Sequence, residues 1–190
     1  MKATQPPLLF IFGAAAVGKM TVGQELKRRT GYRLLYNHMV VDLVTEFFEF
    51  GTPGFHRLAQ PFTSRIIEAC ADEGLGLITT HGLIFNDGGR ALIERWERPY
   101  RERGMPVLYV ALTAPLDVRI ARSGTPHRAQ HKKTDWATPE RLREMEDWGR
   151  FTFDAEDDWP DPARRITIDN SHLAPEAVAE RIQRHFGLAM

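Results

Sequence analysis

Apolar runs and amphipathic stretches alternate along most of this chain, and the alternation predicts five strands, each followed by helix. "PLLFIFG" (7–13) is continuously apolar, as expected of a central parallel strand covered on both faces. "KMTVGQELKRRTG" (19–31) then places Val22 and Leu26 on one helical face, and Gly31 supplies a stop. "YRLLYN" (32–37) is a weaker strand that runs into a helix, "HMVVDLVTEFFEF" (38–50). "LGLITT" (75–80) predicts a third strand and "ALIERWERPYRERG" (91–104) an amphipathic helix after it. "PVLYVALT" (106–113) predicts a fourth strand, followed by a short helix in "APLDVRIARSG" (114–124). "TPERLREMEDWG" (138–149) reads as helix with Thr138 as N-cap and Pro139 at the first helical position. "RRITID" (164–169) and "PEAVAERIQRHFG" (175–187) supply the last strand and the closing helix. The pattern predicts an α/β fold: a five-stranded parallel sheet with helices on both faces. In such sheets ligands sit at the carboxyl ends of the strands.

Composition leaves that picture intact and narrows its setting. With 190 residues, one domain spanning 1–190 is expected. Lysine plus arginine number 25 and aspartate plus glutamate 25, so no global charge draws the chain to nucleic acid or an anionic membrane. No stretch approaches the ~20 apolar residues of a membrane helix. Lys2 and the run Leu8–Val17 imitate a short signal peptide, but the lysine and amphipathic segment that follow favour a buried strand. The single cysteine, Cys70, forms no intrachain disulfide, which fits a cytoplasmic protein. A monomer or homodimer is expected.

The chemistry begins at "FGAAAVGKMTVG". Gly13, Ala14, Ala15, Ala16, Val17, Gly18 and Lys19 satisfy G-x-x-x-x-G-K between a predicted strand and helix. There the glycines let the backbone curl so that amides point at phosphate oxygens, and the helix adds the positive end of its dipole. Lys19 would reach the β- and γ-phosphates. Met20 stands where this loop normally gives the hydroxyl that ligates Mg²⁺, and a thioether is a poor ligand for a hard cation. Thr21 lies ~100° further round the helix, placed for an α-phosphate oxygen rather than the metal. Mg²⁺ is therefore expected to be held by ATP phosphates and water, with no metal site built by the protein.

On these motifs the chain resembles the P-loop small-molecule kinases: shikimate kinase, gluconate kinase, chloramphenicol phosphotransferase and the nucleoside monophosphate kinases. "FGAAAVGKMTVGQELKRRTGYRLLYN" is similar to their phosphate loop, first helix and second strand; "LITTHG" falls at their substrate-binding strand end; "VLYVALTAPLDVRIARS" leads into their lid; and "ITIDNSHLAPEAVAERI" is similar to their adenine-side loop and final helix. The resemblance implies a three-layer P-loop NTPase fold with a mobile lid at about 122–137. It also implies ATP as phosphoryl donor and a small-molecule acceptor. Asp169 and Asn170 would lie beside the adenine. Residues 118–134 contain Arg119, Arg122, Arg128, Lys132 and Lys133 and no carboxylate. Within that run, Arg122 and Arg128 would close over the transferring phosphoryl group, which such enzymes stabilise mainly by positioning and charge.

The acceptor side departs from the resembling kinases. Asn37 stands where a shikimate kinase has an aspartate, and Met39 falls near the expected base, which argues against a shikimate-specific site. His38 and Asp42, four apart on one helical face, are the substitutes, and either could be the base. A histidine base would make activity fall on protonation. Asn37, His38, His81 and Gly82 are the expected substrate contacts; Arg57 and Arg65 could hold an anionic acceptor, but each is expected first as a surface arginine. The phenylalanines of "EFFEFGTPGF" are expected mainly in the core. An ATP-dependent kinase acting on a hydroxyl is the leading expectation, and a nucleotide-binding regulatory module is the alternative.

Overall fold

The computed structural model describes residues 5–124, 137–153 and 159–188. Five strands, β1 (Leu8–Phe12), β2 (Arg33–Tyr36), β3 (Leu77–His81), β4 (Val107–Thr113) and β5 (Arg165–Asp169), form one sheet in the order β2-β3-β1-β4-β5. All four pairings are parallel. β1 is central, and its five residues are all buried because both faces are covered. Leu8, Phe10 and Phe12 enter one core with Val41, Ile67, Trp96 and Tyr100, while Leu9 and Ile11 enter the other with Leu26, Val110 and Ile182. The two-residue period of a strand thus feeds two layers from one uninterrupted apolar run.

The first layer holds α2 (Asn37–Thr45), α3 (Pro53–Asp72) and α4 (Asp87–Glu102); the second holds α1 (Lys19–Thr30) and, as the last helix, Pro175–Phe186. Two shorter helices lie between β4 and β5, α5 (Leu116–Ser123) and α6 (Pro139–Glu144), the latter continued by a 3₁₀ turn over Met145–Trp148; the last helix is α7. Capping follows the sequence signals where they were read. Gly31 adopts φ 72° and its amide reaches the Lys27 carbonyl at 2.9 Å, and the Thr138 hydroxyl accepts from the Arg141 amide at 3.3 Å.

Two elements differ from the sequence pattern. That pattern assigns nothing to 51–74, yet α3 is a 20-residue helix. Its buried stripe, Phe55, Ala59, Thr63, Ile67 and Ala71, keeps a four-residue spacing but is made largely of small side chains, and Pro61 lies inside the helix. The predicted helix 38–50 ends at Thr45. Phe47 and Phe50 are therefore exposed (72% and 67%), against the expectation of core packing, and Phe55 alone of this group is deeply buried.

Candidate functional site

The strand order reverses around β1: the chain winds out through β2, returns to β3, then crosses to β4. A crevice opens at the carboxyl ends of the strands on such a reversal. Here it is a cavity of about 960 Å³ that runs from the loop after β1 to the ends of β2 and β3.

The loop 13–18 supplies the floor through Ala15, Ala16 and Gly18. Gly13 has φ 147°, and a β-carbon there would sit 2.5 Å from the Leu112 carbonyl oxygen, so only glycine passes close to β4. Gly18 (φ 103°) and Ala16 (φ 62°) are also left-handed, which folds the chain back on itself. Ala15, Ala16, Gly18, Lys19, Met20 and Thr21 line the cavity. Gly18 is the N-cap of α1, so the first-turn amides lack intrahelical partners and suit an anion. The Lys19 ammonium donates to the carbonyls of Gly13 (2.6 Å) and Ala14 (2.8 Å), which places the cation over the loop. On the outer side, Ala14, Ala15 and Ala16 pack with Leu142, Met145 and Phe151. The alanines therefore seat the segment after 137 on the loop, a contact with no local sequence signal.

Arg122 does not stand apart from the loop as an arginine of a separate lid would. Its guanidinium donates to the carbonyls of Val17 (3.2 Å), Asn170 (2.7 Å) and Ser171 (3.1 Å), and to Asn170 Oδ1 (3.2 Å). The buried Asn170 amide adds a bond to the Val17 carbonyl at 2.8 Å. Together they tie the loop to the turn after β5. Asn170, Leu173 and Pro175 line the cavity, as does Arg122. Asp169 does not; it is exposed and accepts from the Ser171 amide and hydroxyl, which lower its pKa. The expected adenine-side pair is thus reduced to Asn170. Arg128 and the lid positions 125–136 lie outside the described residues.

At the other end, Asn37 and His38 open α2 and line the cavity with Tyr36, Thr80 and Gly82. His38 Nδ1 lies 3.5 Å from Asp42 Oδ1, the contact that their four-residue spacing predicts. Asp42 is not among the lining residues, so of the pair His38 alone faces the cavity. A β-carbon on Gly82 would stand 3.9 Å from the Lys19 ammonium, which shows how near the end of β3 is to the loop.

His81 requires a correction. Strand alternation turns its ring into the sheet's other face, where it is 2% exposed, stacks on Trp96 at 4.4 Å and shares a hydrogen bond with the Thr79 hydroxyl at 2.8 Å. Burial, with a smaller contribution from the Lys19 charge, pushes its pKa down to about 3. It is a neutral core histidine. Thr80, one residue earlier, takes the place expected of it. Gln60 and Leu92 also line the cavity with no local sequence signal for it; Gln60 belongs to α3, whose only signal is the four-residue stripe.

ATP and Mg²⁺ fit the site differently. The left-handed loop, the free helix terminus and Lys19 suit a polyphosphate. The described cavity lining contains no carboxylate, and Met20 lines it at the usual hydroxyl position. That donor set does not suit a Mg²⁺ ligated directly by protein.

A parallel sheet with this loop and this reversal defines the class of P-loop nucleotide-binding folds. No family model matches the chain, and a search of curated proteins finds no match. Solved structures do match. A sugar kinase from Janibacter sp. HTCC2649 aligns with TM-score 0.62 at 15% identity, over 98% of this chain and 96% of that one. An APS kinase from Mycobacterium tuberculosis, solved with AMPPNP and APS, aligns with TM-score 0.61 at 14% identity, over 97% and 99%. A tunicamycin resistance protein from Deinococcus radiodurans aligns with TM-score 0.57 at 20% identity, over 97% of each chain. The chain has the fold of the P-loop small-molecule kinases. Among the described residues no helix is long and apolar enough to cross a membrane.

Proposed function

We propose that this protein is an ATP-dependent kinase that transfers the γ-phosphoryl group of ATP to a hydroxyl of a small molecule. The observation that carries the reading is one continuous cavity with the phosphate loop and Lys19 at one end and His38 at the other. The loop amides and Lys19 hold the phosphates, and charge placed on the transferring oxygens is the main catalytic contribution in such reactions. His38 is the proton acceptor, and Asp42, 3.5 Å from its Nδ1, orients the ring. The acceptor oxygen bonds to the γ-phosphorus, the bond to the bridging oxygen breaks, and the hydroxyl proton passes through His38 to solvent. ADP and a phosphate ester leave. The structural neighbours support the class of reaction, since the sugar kinase and the APS kinase carry it in their names.

Calorimetric titration of ATP, with and without Mg²⁺, tests the nucleotide half. Lys19→Ala should weaken ATP binding at least tenfold, the equivalent of about 1.4 kcal/mol. Unchanged affinity would remove the loop from the reading. His38→Gln tests the chemical half: turnover should fall about 10²–10⁴-fold with ATP affinity retained. A second reading, a nucleotide-binding module that transfers nothing, is favoured by Met20 and by the carboxylate-free lining among the described residues. ADP release stimulated by any hydroxyl compound excludes it.

A further inference from the structure

Eight of the ten large apolar side chains left exposed among the described residues fall between positions 39 and 66. Scattered singly, exposed apolar residues need no explanation; concentrated in one segment, they do. α3 carries Leu58, Phe62 and Ile66 in one row, about 100° round the helix from the buried row Ala59, Thr63 and Ile67. The other flank of α3 is covered by α4, where the Trp96 indole donates to the Ser64 hydroxyl at 3.1 Å. Met39 and Leu43 repeat the four-residue spacing on α2, and Phe47 continues it in the turn beyond. Phe48 and Phe50 fold that turn onto the start of α3. The Phe50 ring lies 4.9 Å from the Phe55 ring, and a β-carbon on Gly54 would stand 2.3 Å from Phe48.

A fully exposed side chain of this size presents about 150–250 Å², so the eight together leave roughly 600–1,000 Å² of mostly apolar surface. The largest apolar patch of a typical monomer is about 300–600 Å², whereas each partner in a stable dimer buries about 800 Å². The charges at the rim suit a second copy of the same face. Arg57 and Arg65 are exposed and outside the cavity lining, and Glu49 and Glu68 bring carboxylates to the same segment, with Arg65 paired to Glu68 at 2.7 Å. A two-fold axis beside Phe62 that sets two α3 helices antiparallel brings Arg57 of each copy level with Glu68 of the other. With 25 basic and 25 acidic residues, no net charge opposes the meeting of two copies.

We infer that α3 and the phenylalanine turn before it form a homodimer interface, in which two copies pack antiparallel along α3 with Phe62 at the two-fold axis. Rows of four-residue spacing interdigitate in the commonest class of helix pairing. Phe50 lines the cavity as well, so the interface reaches the edge of the candidate site. The inference does not depend on the kinase reading, because its test reads mass and cross-linking and not turnover.

Sedimentation velocity of the full chain between about 1 and 100 µM tests it. The wild type should sediment at twice the 21.7 kDa chain mass, with a dimer Kd at or below about 10 µM. Phe62→Asp puts a charge at the axis from both copies and should raise Kd at least about a hundredfold. Phe62 is exposed in the single chain, so the circular dichroism of the variant should match the wild type. Phe62→Cys gives a second reading that needs no charged variant. Under mild oxidation it should form a disulfide between copies at least about tenfold faster than Arg98→Cys, an exposed site on α4. A wild type that stays monomeric at about 100 µM, a dimer that Phe62→Asp leaves intact, or equal cross-linking by the two cysteine variants would each overturn the inference. A monomer that instead sediments with phosphatidylcholine vesicles would give the face to lipid, and would overturn it as well.

Discussion

His81 allows a test of the buried sheet that is independent of any ligand. Its ring is enclosed by Phe10, Trp96 and Thr79, and burial first, then the Lys19 charge, lowers its pKa to about 3 from 6.5. The native state therefore refuses a proton that the unfolded chain accepts once the pH drops below 6.5. Stability is intact near pH 7 and falls as the pH falls from 6.5 toward 3, because the unfolded state binds more protons across that window. At pH 5, about 1.5 below the ordinary histidine value, proton uptake stabilises the unfolded chain by about 2 kcal/mol. For a domain of this size that is a drop in Tm of about 4–8 °C. Other groups titrate over the same range, so the comparison must be with His81→Gln, which can still hydrogen-bond the Thr79 hydroxyl and cannot protonate. Thermal unfolding of both proteins at pH 7 and pH 5 isolates the histidine. The variant should lose about 2 kcal/mol less than the wild type on acidification. Parallel losses in the two proteins would refute the buried, neutral imidazole and the strand register that turns it inward.

Arg122→Ala removes the clamp between the phosphate loop and the turn after β5. With charged hydrogen bonds worth about 1.5–3 kcal/mol, denaturant unfolding should show a loss of about 2 kcal/mol, together with weaker ATP binding. Stability and affinity both at wild-type level would show that the clamp is not formed in solution. Met20→Ser restores a hydroxyl at the first turn of α1. Calorimetry should then show an ATP affinity that depends more steeply on Mg²⁺ than in wild type, by about tenfold. An unaltered Mg²⁺ dependence would place the metal away from that position.

The fold was legible where local signals were strong and redundant. β1 and β4 are unbroken apolar runs, and a parallel strand covered on both faces has no other way to be written. α3 was not legible, because alanine and threonine carry its buried stripe and Pro61 sits inside the helix; packing against α4 and the sheet, not intrinsic preference, holds it helical. The strand end alone points His81 toward the cavity, and the strand's two-residue alternation turns it away. Thr80 faces the cavity, and so its neighbour must face the core.

By itself, the sequence determined the parallel α/β class, the phosphate loop and the His38–Asp42 pair, since each depends on residues close together in the chain. A loop conformation and an i, i+4 contact are set by spacing alone. Only the tertiary structure decided that His38 and not Asp42 faces the cavity, that Arg122 grips Val17 and Asn170, and that Gln60 lines the same cavity. Those relations join segments as far apart as residues 17 and 170. They arise from how the layers close over the sheet, which no local pattern of hydrophobic and polar residues encodes.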